Sequence, residues 1–141
     1  MTESVAEGLT PTDTVELTVP ADPAYVSVLR TVTASLAARR DFTIDEIDDL
    51  RIAVDEASAL LLPHAATDAS LAAVFGGSAA VLQVVVSVEL ADDADEADEA
   101  SRLDQTGFAW MVLAALADTV STEITGGRLS LALTKTRGAR S

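Results

Sequence analysis

The spacing of apolar and polar positions divides the first half of the chain into one strand and two helices. Residues 14–19 alternate between polar and apolar side chains and end at a proline, as a strand near a sheet edge does. An Asp-Pro pair at 22–23 begins a helix whose apolar stripe continues to about Arg39. The capping box at 43–46 begins a second helix, which ends near Pro63 and is apolar on two sides. We therefore expect the second helix to be sandwiched between neighbouring elements.

The second half of the chain shows two pairs of short alternating or apolar runs, separated by a longer apolar run of helical length. Glycine-containing turns separate the members of each pair, which is typical of hairpins. The predicted elements are strands at 70–75 and 81–89, a buried helix at 107–117, and strands at 120–124 and 129–136.

The resulting order, β-α-α-β-β-α-β-β, predicts an α+β fold with two layers. We expect the helices to cover one face of a mixed, mostly antiparallel sheet. Residues 1–12 are polar and acidic and are expected to form a disordered arm, whereas 13–137 form one domain. Residues 91–104 hold seven acidic side chains and one basic side chain, which predicts a charged loop.

Composition narrows the classes of function. The 141 residues carry a formal charge of −14 and no cysteine. The lack of cysteine excludes disulfides and thiol chemistry and suits the cytoplasm. We find neither a signal-like N-terminus nor an apolar run of membrane-spanning length. The acidic surface disfavours nucleic acid and anionic lipid and favours a basic protein partner, although such charge also serves solubility alone.

The most informative segment is 50–66, LRIAVDEASALLLPHAA, which contains the later part of the second helix. It places Glu56 one helical turn before Leu60, so the two side chains share a helix face. A magnesium-dependent phosphate-transfer site requires oxygen ligands at such positions, and leucine offers none. The pair therefore decides whether this helix face can carry out phosphoryl transfer.

These features resemble the anti-sigma factor serine kinases of the GHKL, or Bergerat-fold, ATPase superfamily. The resemblance covers 14–136 and is strongest from Arg30 through DFTIDEIDDLRIAVDEA to His64, while 107–120 is most similar to the actinobacterial stress-sigma branch. It implies an alternative sigma factor and a STAS-type anti-anti-sigma factor as protein partners. It also implies that Glu56 orients or deprotonates the attacking hydroxyl, and that Arg30 contacts both partners.

The chain departs from the family's three nucleotide motifs. Leu60 stands where the family has the asparagine that holds magnesium, and Ala65 replaces the glycine of the His-Gly pair. No glycine follows the central strand. Gly107 matches one glycine at the start of the late helix, a candidate cofactor contact, but Ala109 stands at the other position. The acidic segment 91–104 replaces the ATP lid, and its carboxylates would repel triphosphate.

We therefore predict an anti-sigma factor with little or no kinase activity and no bound cofactor. The alternative is an active serine kinase that uses ATP and magnesium to phosphorylate its anti-anti-sigma partner, and a third possibility is an interaction scaffold that binds neither partner. On the first reading Glu56 is a relic or a weak base. Arg30 is either a partner contact or a solvated helix residue, and His64 is assigned no chemistry.

Three further interpretations remain open at the level of sequence. The acidic segment 91–104 is a solvated loop or docks on the DNA-binding face of the sigma factor. Phe108, Trp110 and Met111 are expected to pack in the core, with Phe108 and Trp110 alternatively filling space left by nucleotide. By analogy with the family, strand 14–19 supplies an edge for a possible homodimer.

Overall fold

The computed structural model describes residues 14–91 and 107–138, and its elements follow the predicted order. The predicted arm at 1–12 and nearly all of the acidic segment 91–104 lie outside the described residues. The helices and strands are β1 (Val15–Pro20), α1 (Val26–Arg39), α2 (Ile44–Leu61), β2 (Ser70–Gly77), β3 (Val81–Glu89), α3 (Phe108–Leu116), β4 (Thr119–Thr125) and β5 (Arg128–Thr136).

The five strands form one sheet in the order β1-β2-β3-β5-β4. We expected a mixed, mostly antiparallel sheet, and all four pairings between the described strands are antiparallel. The reason is the connection through α3, which leads to β4 at the outer edge and lets β5 turn back beside β3. The sheet therefore begins and ends with β1 and β4, and the predicted edge position of β1 is confirmed.

One face of the sheet is buried beneath the helices. In β2, Phe75 is 1% exposed, whereas its neighbour Val74 points to the other face and is 38% exposed. The inward residues of β3 and β5 are all fully buried; they are Leu82, Val84, Val86, Val88, Leu129, Leu131 and Leu133. Because α2 packs on β3 and β5 and also contacts α1 and α3, it is sandwiched as predicted. The two-layer α+β fold is confirmed.

The start of α2 is fixed by the predicted capping box. The Glu46 backbone N–H donates to Thr43 Oγ1 at 3.1 Å, and the Thr43 N–H donates to Glu46 Oε1 at 2.8 Å. The other carboxylate oxygen of Glu46 accepts from the Gly138 N–H at 2.7 Å. The box thus satisfies free N–H groups of the first turn and joins this turn to the segment after β5.

The second hairpin has the two-residue loop that its glycine pair predicts. Thr125 pairs with Arg128, and the two glycines between them, Gly126 and Gly127, have φ values of 59° and 78°. Positive φ at both loop positions is the requirement of a type I′ turn, which glycine meets without a steric penalty. The loop therefore matches the twist of β4 and β5.

The turn at 66–69 contains a residue with an unfavourable backbone conformation. The Ala69 N–H donates to the Ala66 carbonyl at 3.1 Å, and Asp68, third in the turn, has φ 61°. We expect Asp68→Gly to raise the free energy of unfolding by about 0.5–1 kcal/mol, because glycine adopts positive φ more readily. Chemical denaturation measures the change, and Asp68→Ala is the control, because alanine also removes the charge but adopts positive φ less readily. A gain with alanine that equals the gain with glycine would contradict the backbone explanation.

The third helix is less buried than predicted. Leu113 is fully buried and Trp110 packs against the core, but Phe108 is 80% exposed and Met111 is 62% exposed. The prediction that 107–117 is buried is wrong because this short helix uses only one face against α2. Phe108 does not fill an internal space, so that alternative is wrong for Phe108. Among the described residues, no helix has the length and apolar character required to cross a membrane.

Candidate functional site

A groove lies between the first turn of α1 and the C-terminal half of α2, and we call it the α1–α2 groove. It has a volume of about 420 Å³. Its lining combines apolar and small side chains with three charged ones, and consists of Pro23, Val26, Arg30, Asp55, Glu56, Ala59, Leu62 and Pro63. A concave, largely apolar surface with a few converging polar groups is the usual form of a binding site. The structure thus brings two sequence-predicted residues, Arg30 and Glu56, to one place.

Arg30 is oriented by an ion pair across the groove. Its Nη1 donates to Asp55 Oδ1 at 2.5 Å, and the two side chains are 35% and 42% exposed. An ion pair this exposed contributes at most about 1 kcal/mol to stability. Its more specific effect is to hold the guanidinium in one direction while the remaining N–H donors face solvent. Arg30 also borders a second hollow of about 320 Å³, with Asp48, Arg51 and Ile52, so it forms a ridge between two concavities.

Glu56 lies half-buried in the same groove, directly after Asp55. Among the described residues its carboxylate has no hydrogen-bond or ion-pair partner. No basic side chain is therefore held against it, although Arg30 shares the groove. A carboxylate in this setting is available to solvent or to a bound partner, and nothing in its surroundings marks it as an activated base.

Leu60 follows Glu56 by one helical turn but contributes to the core. It is partly buried and packs against the core cluster, and it does not line the α1–α2 groove. An aliphatic side chain offers no ligand to a hard cation, which requires oxygen. Across residues 14–91 and 107–138, we find no group of three His, Asp or Glu side chains that could hold a metal ion. Leu60 therefore supplies no oxygen ligand one helical turn after Glu56.

Gly107, the predicted cofactor contact, is the N-terminal cap residue of α3. Its φ and ψ are −77° and 173°, and its carbonyl accepts from the Met111 N–H at 3.1 Å. This geometry is extended and is open to any residue type, so the glycine is not required by its backbone conformation. Gly107 is not among the residues lining the α1–α2 groove. The structure therefore brings Glu56 together with Arg30 rather than with Gly107.

Asp55 was missed by the sequence reading. It stands 25 positions from Arg30, and the sequence carries no spacing rule that links two helices at this separation. A weak signal is its place beside Glu56 on α2, which makes it the nearest carboxylate to the predicted site. His64 lies half-buried in a short 3₁₀ turn, Leu62–His64, which forms the C-terminal extension of α2.

The amino-acid sequence is similar to those of several bacterial regulatory proteins. An anti-sigma-F factor RsbW of Mycobacterium tuberculosis (strain ATCC 25618 / H37Rv) is 33% identical over 134 aligned residues, which cover 90% of this chain and 76% of that protein. A serine-protein kinase RsbW of Bacillus subtilis (strain 168) is 45% identical over 53 residues, or 38% of this chain and 33% of the kinase. The serine-protein kinase RsbW of Bacillus velezensis is 41% identical over 59 residues.

The matches to the two Bacillus kinases span 33% and 37% of their length, so only part of each kinase is represented. The match to a protein family covers more of this chain than the matches to the two kinases do. The histidine kinase-like ATPase domain matches residues 19–135, which run from the end of β1 to the end of β5. This chain belongs to the histidine kinase-like ATPase domain family.

Proposed function

We propose that this protein is a cytoplasmic anti-sigma factor that sequesters an alternative sigma factor and is countered by a STAS-type anti-anti-sigma factor. The observation that carries the proposal is Arg30, held by Asp55 at the rim of a largely apolar groove. An oriented arginine beside an apolar pocket is a common centre of binding energy in protein interfaces. The mycobacterial relative, an anti-sigma-F factor, supports the same assignment.

Charge supports a basic partner. The chain carries a formal charge of −14, and sigma factors expose basic DNA-binding faces. Opposite potentials accelerate diffusional encounter and suppress wrong partners more than they raise affinity. We therefore propose that the acidic surface speeds capture of the sigma factor, while the α1–α2 groove and Arg30 supply the specific contact.

We further propose that the protein has little or no kinase activity. This part rests on Leu60, which packs against the core where a magnesium ligand is needed, and on Glu56, which has no described basic partner. Release of the sigma factor would then follow from competition by the anti-anti-sigma factor. The alternative is an active kinase, which is favoured by the two Bacillus relatives named serine-protein kinase.

One experiment separates these functions. The purified chain is mixed with candidate sigma and STAS-type proteins, with and without labelled ATP and magnesium, and the products are separated by gel filtration. We expect a sigma complex that forms without nucleotide and no label on the STAS-type protein. Label on that protein would establish the kinase instead, and the absence of both complexes would leave only an interaction scaffold.

We expect calorimetric titration with ATP and magnesium to give no saturable heat at micromolar concentrations. The reason is the loss of an oxygen ligand at Leu60, because cation-bridged phosphates depend on such ligands. The Bacillus subtilis kinase, titrated under the same conditions, is the positive control. Micromolar binding by this chain would contradict the proposal of a degenerate nucleotide site.

We also propose a homodimer that uses the edge strand β1. Among the described strands β1 has one neighbour, β2, and the backbone groups on its other edge pair with none of the described strands. Sedimentation of the isolated chain tests the proposal. A monomer at all concentrations would exclude it without affecting the assignment of the sigma-binding groove.

A further inference from the structure

A third concavity, separate from the two beside Arg30, lies at the opposite end of α1 from the α1–α2 groove. It has a volume of about 570 Å³ and is formed by the end of α1, the start of β1, the turn after β2 and the segment after β5. Three guanidinium groups line it, from Arg39, Arg40 and Arg137. The chain has only nine Lys and Arg residues against 23 acidic ones, so this concentration of positive charge is exceptional. We call it the arginine cavity.

Two of the three arginines are anchored by backbone carbonyls. Arg40 Nε donates to the Ser78 carbonyl at 2.9 Å and its Nη1 donates to the Leu36 carbonyl at 3.3 Å. Arg137 Nη1 donates to the Arg40 carbonyl at 3.0 Å. These bonds join α1, the turn after β2 and the segment after β5. The arginine cavity therefore has a fixed wall, because its guanidinium groups are held from separate parts of the chain.

Arg39 supplies the third guanidinium group. It is exposed and has no hydrogen bond or ion pair with any residue in the described part of the chain. Cations at the C-terminus of a helix compensate the helix dipole, which explains Arg39 and Arg40 without a ligand. Arg137 enters the same cavity from beyond β5 and donates to the carbonyl of Arg40, the C-cap residue of α1, so it serves the same helix end. The helix end alone does not require the hollow of about 570 Å³ that these three side chains line together. Asp41 is the one carboxylate among the described lining residues.

We propose that the arginine cavity binds a small anion with two or more phosphate groups. The planar fork of arginine bonds phosphate oxygens in pairs, and several forks around one cavity suit a compact polyanion. Val15 and Leu36 form an apolar wall that has room for an organic part of the ligand. An extended acidic peptide is disfavoured, because much of it would meet the acidic surface outside the cavity.

The proposed site is separate from the α1–α2 groove. Arg30 and Arg39 are nine residues apart on α1, which is about 14 Å along the helix axis. Anion binding here requires no magnesium, because the guanidinium groups provide the positive charge. It therefore holds or fails independently of the proposed sigma binding. ATP held in the arginine cavity would be weakened by Arg39→Gln, whereas ATP held beside Glu56 would not, so the variant distinguishes the two sites.

The test is a titration of the full chain with magnesium-free inorganic pyrophosphate at low ionic strength, followed by calorimetry and amide chemical shifts. We expect saturable binding, with shift changes confined to residues 35–41, 78–80 and 137. Arg39→Gln should weaken binding about tenfold, the size expected for one charge-assisted contact. Arg51→Gln removes the same charge from an exposed position on α2 and should leave the affinity within about twofold.

A second variant tests the fork geometry without changing charge. Arg137→Lys keeps the positive charge but loses paired bonding, and we expect severalfold weaker binding. Thermal unfolding of this variant verifies that the fold is kept. The proposal is overturned by an absence of saturable binding at millimolar pyrophosphate, by equal losses in Arg39→Gln and Arg51→Gln, or by shift changes centred on Glu56. Tighter binding of a poly-glutamate peptide, with the same dependence on Arg39, would overturn it in favour of an acidic peptide.

Discussion

Arg30→Ala is expected to weaken the proposed complex with a sigma factor by about 30-fold or more. This corresponds to the loss of an interface arginine that contributes at least about 2 kcal/mol. The expectation follows from the position of Arg30 on a ridge between two hollows, where Asp55 orients its guanidinium. Calorimetry or surface plasmon resonance with the purified sigma factor measures the change, and the STAS-type protein is tested in the same way.

The matched control is Arg39→Ala, which removes the same charge from the other end of α1. It should leave sigma binding unchanged, because Arg39 lies in the arginine cavity and away from the α1–α2 groove. The stability of Arg30→Ala should fall by less than about 1 kcal/mol, since its ion pair with Asp55 is exposed to solvent. If Arg30→Ala weakens neither complex, Arg30 is a solvated helix residue and the proposed contact is wrong.

Phe75→Ala is expected to lower the free energy of unfolding by about 3–5 kcal/mol, the usual cost of removing a buried phenyl ring. Phe75 is 1% exposed on the face of β2 that the helices cover. Replacement by alanine leaves a cavity beneath them, and the neighbouring side chains fill it only in part. Equilibrium denaturation by urea, followed by circular dichroism, gives the change.

Val74→Ala is the control for Phe75→Ala, because it shortens the adjacent side chain on the opposite face of the same strand. Val74 is 38% exposed, and we expect a loss of less than about 1 kcal/mol. The ratio between the two variants reports which face of the sheet carries the core. Similar losses would show that the outer face is also covered, for instance by a second copy of the chain.

The fold was accessible from the sequence wherever a local rule fixed an element. The capping box of Thr43 and Glu46 placed the start of α2, and the glycine pair at 126–127 placed the second hairpin. The apolar run at 81–89 predicted the strand β3. Each of these signals depends on a few neighbouring residues, so none requires knowledge of the tertiary structure.

The exposure of α3 was not accessible in this way. Its sequence is almost wholly apolar, which predicts burial on all sides, yet Phe108 and Met111 face solvent. Composition reports how apolar a helix is but does not report how much of its surface its neighbours cover. The order of the strands was not accessible either, because the position of β5 between β3 and β4 depends on a crossover connection.

The candidate site was only half predictable. Arg30 and Glu56 were selected from the resemblance, and the structure places both in the α1–α2 groove. Asp55, which orients Arg30, and Arg137, which completes the arginine cavity, were missed because their partners are far away in sequence. Pairings of this kind follow from how α1 packs on α2 and where the chain leaves β5.

The order of the sheet also bears on how the chain is made. β5 lies between β3 and β4, and β4 has no other strand partner among the described residues. During synthesis, β4 therefore leaves the ribosome before its partner strand β5 has been made. One edge of β3 stays unpaired until 128–136 has been synthesised. The polar residues that alternate along β4 favour solvation of the strand while it is unpaired; Thr119, Ser121 and Glu123 are exposed. Translation pauses that fall before β5 should consequently prolong the interval in which this edge of β3 is unpaired.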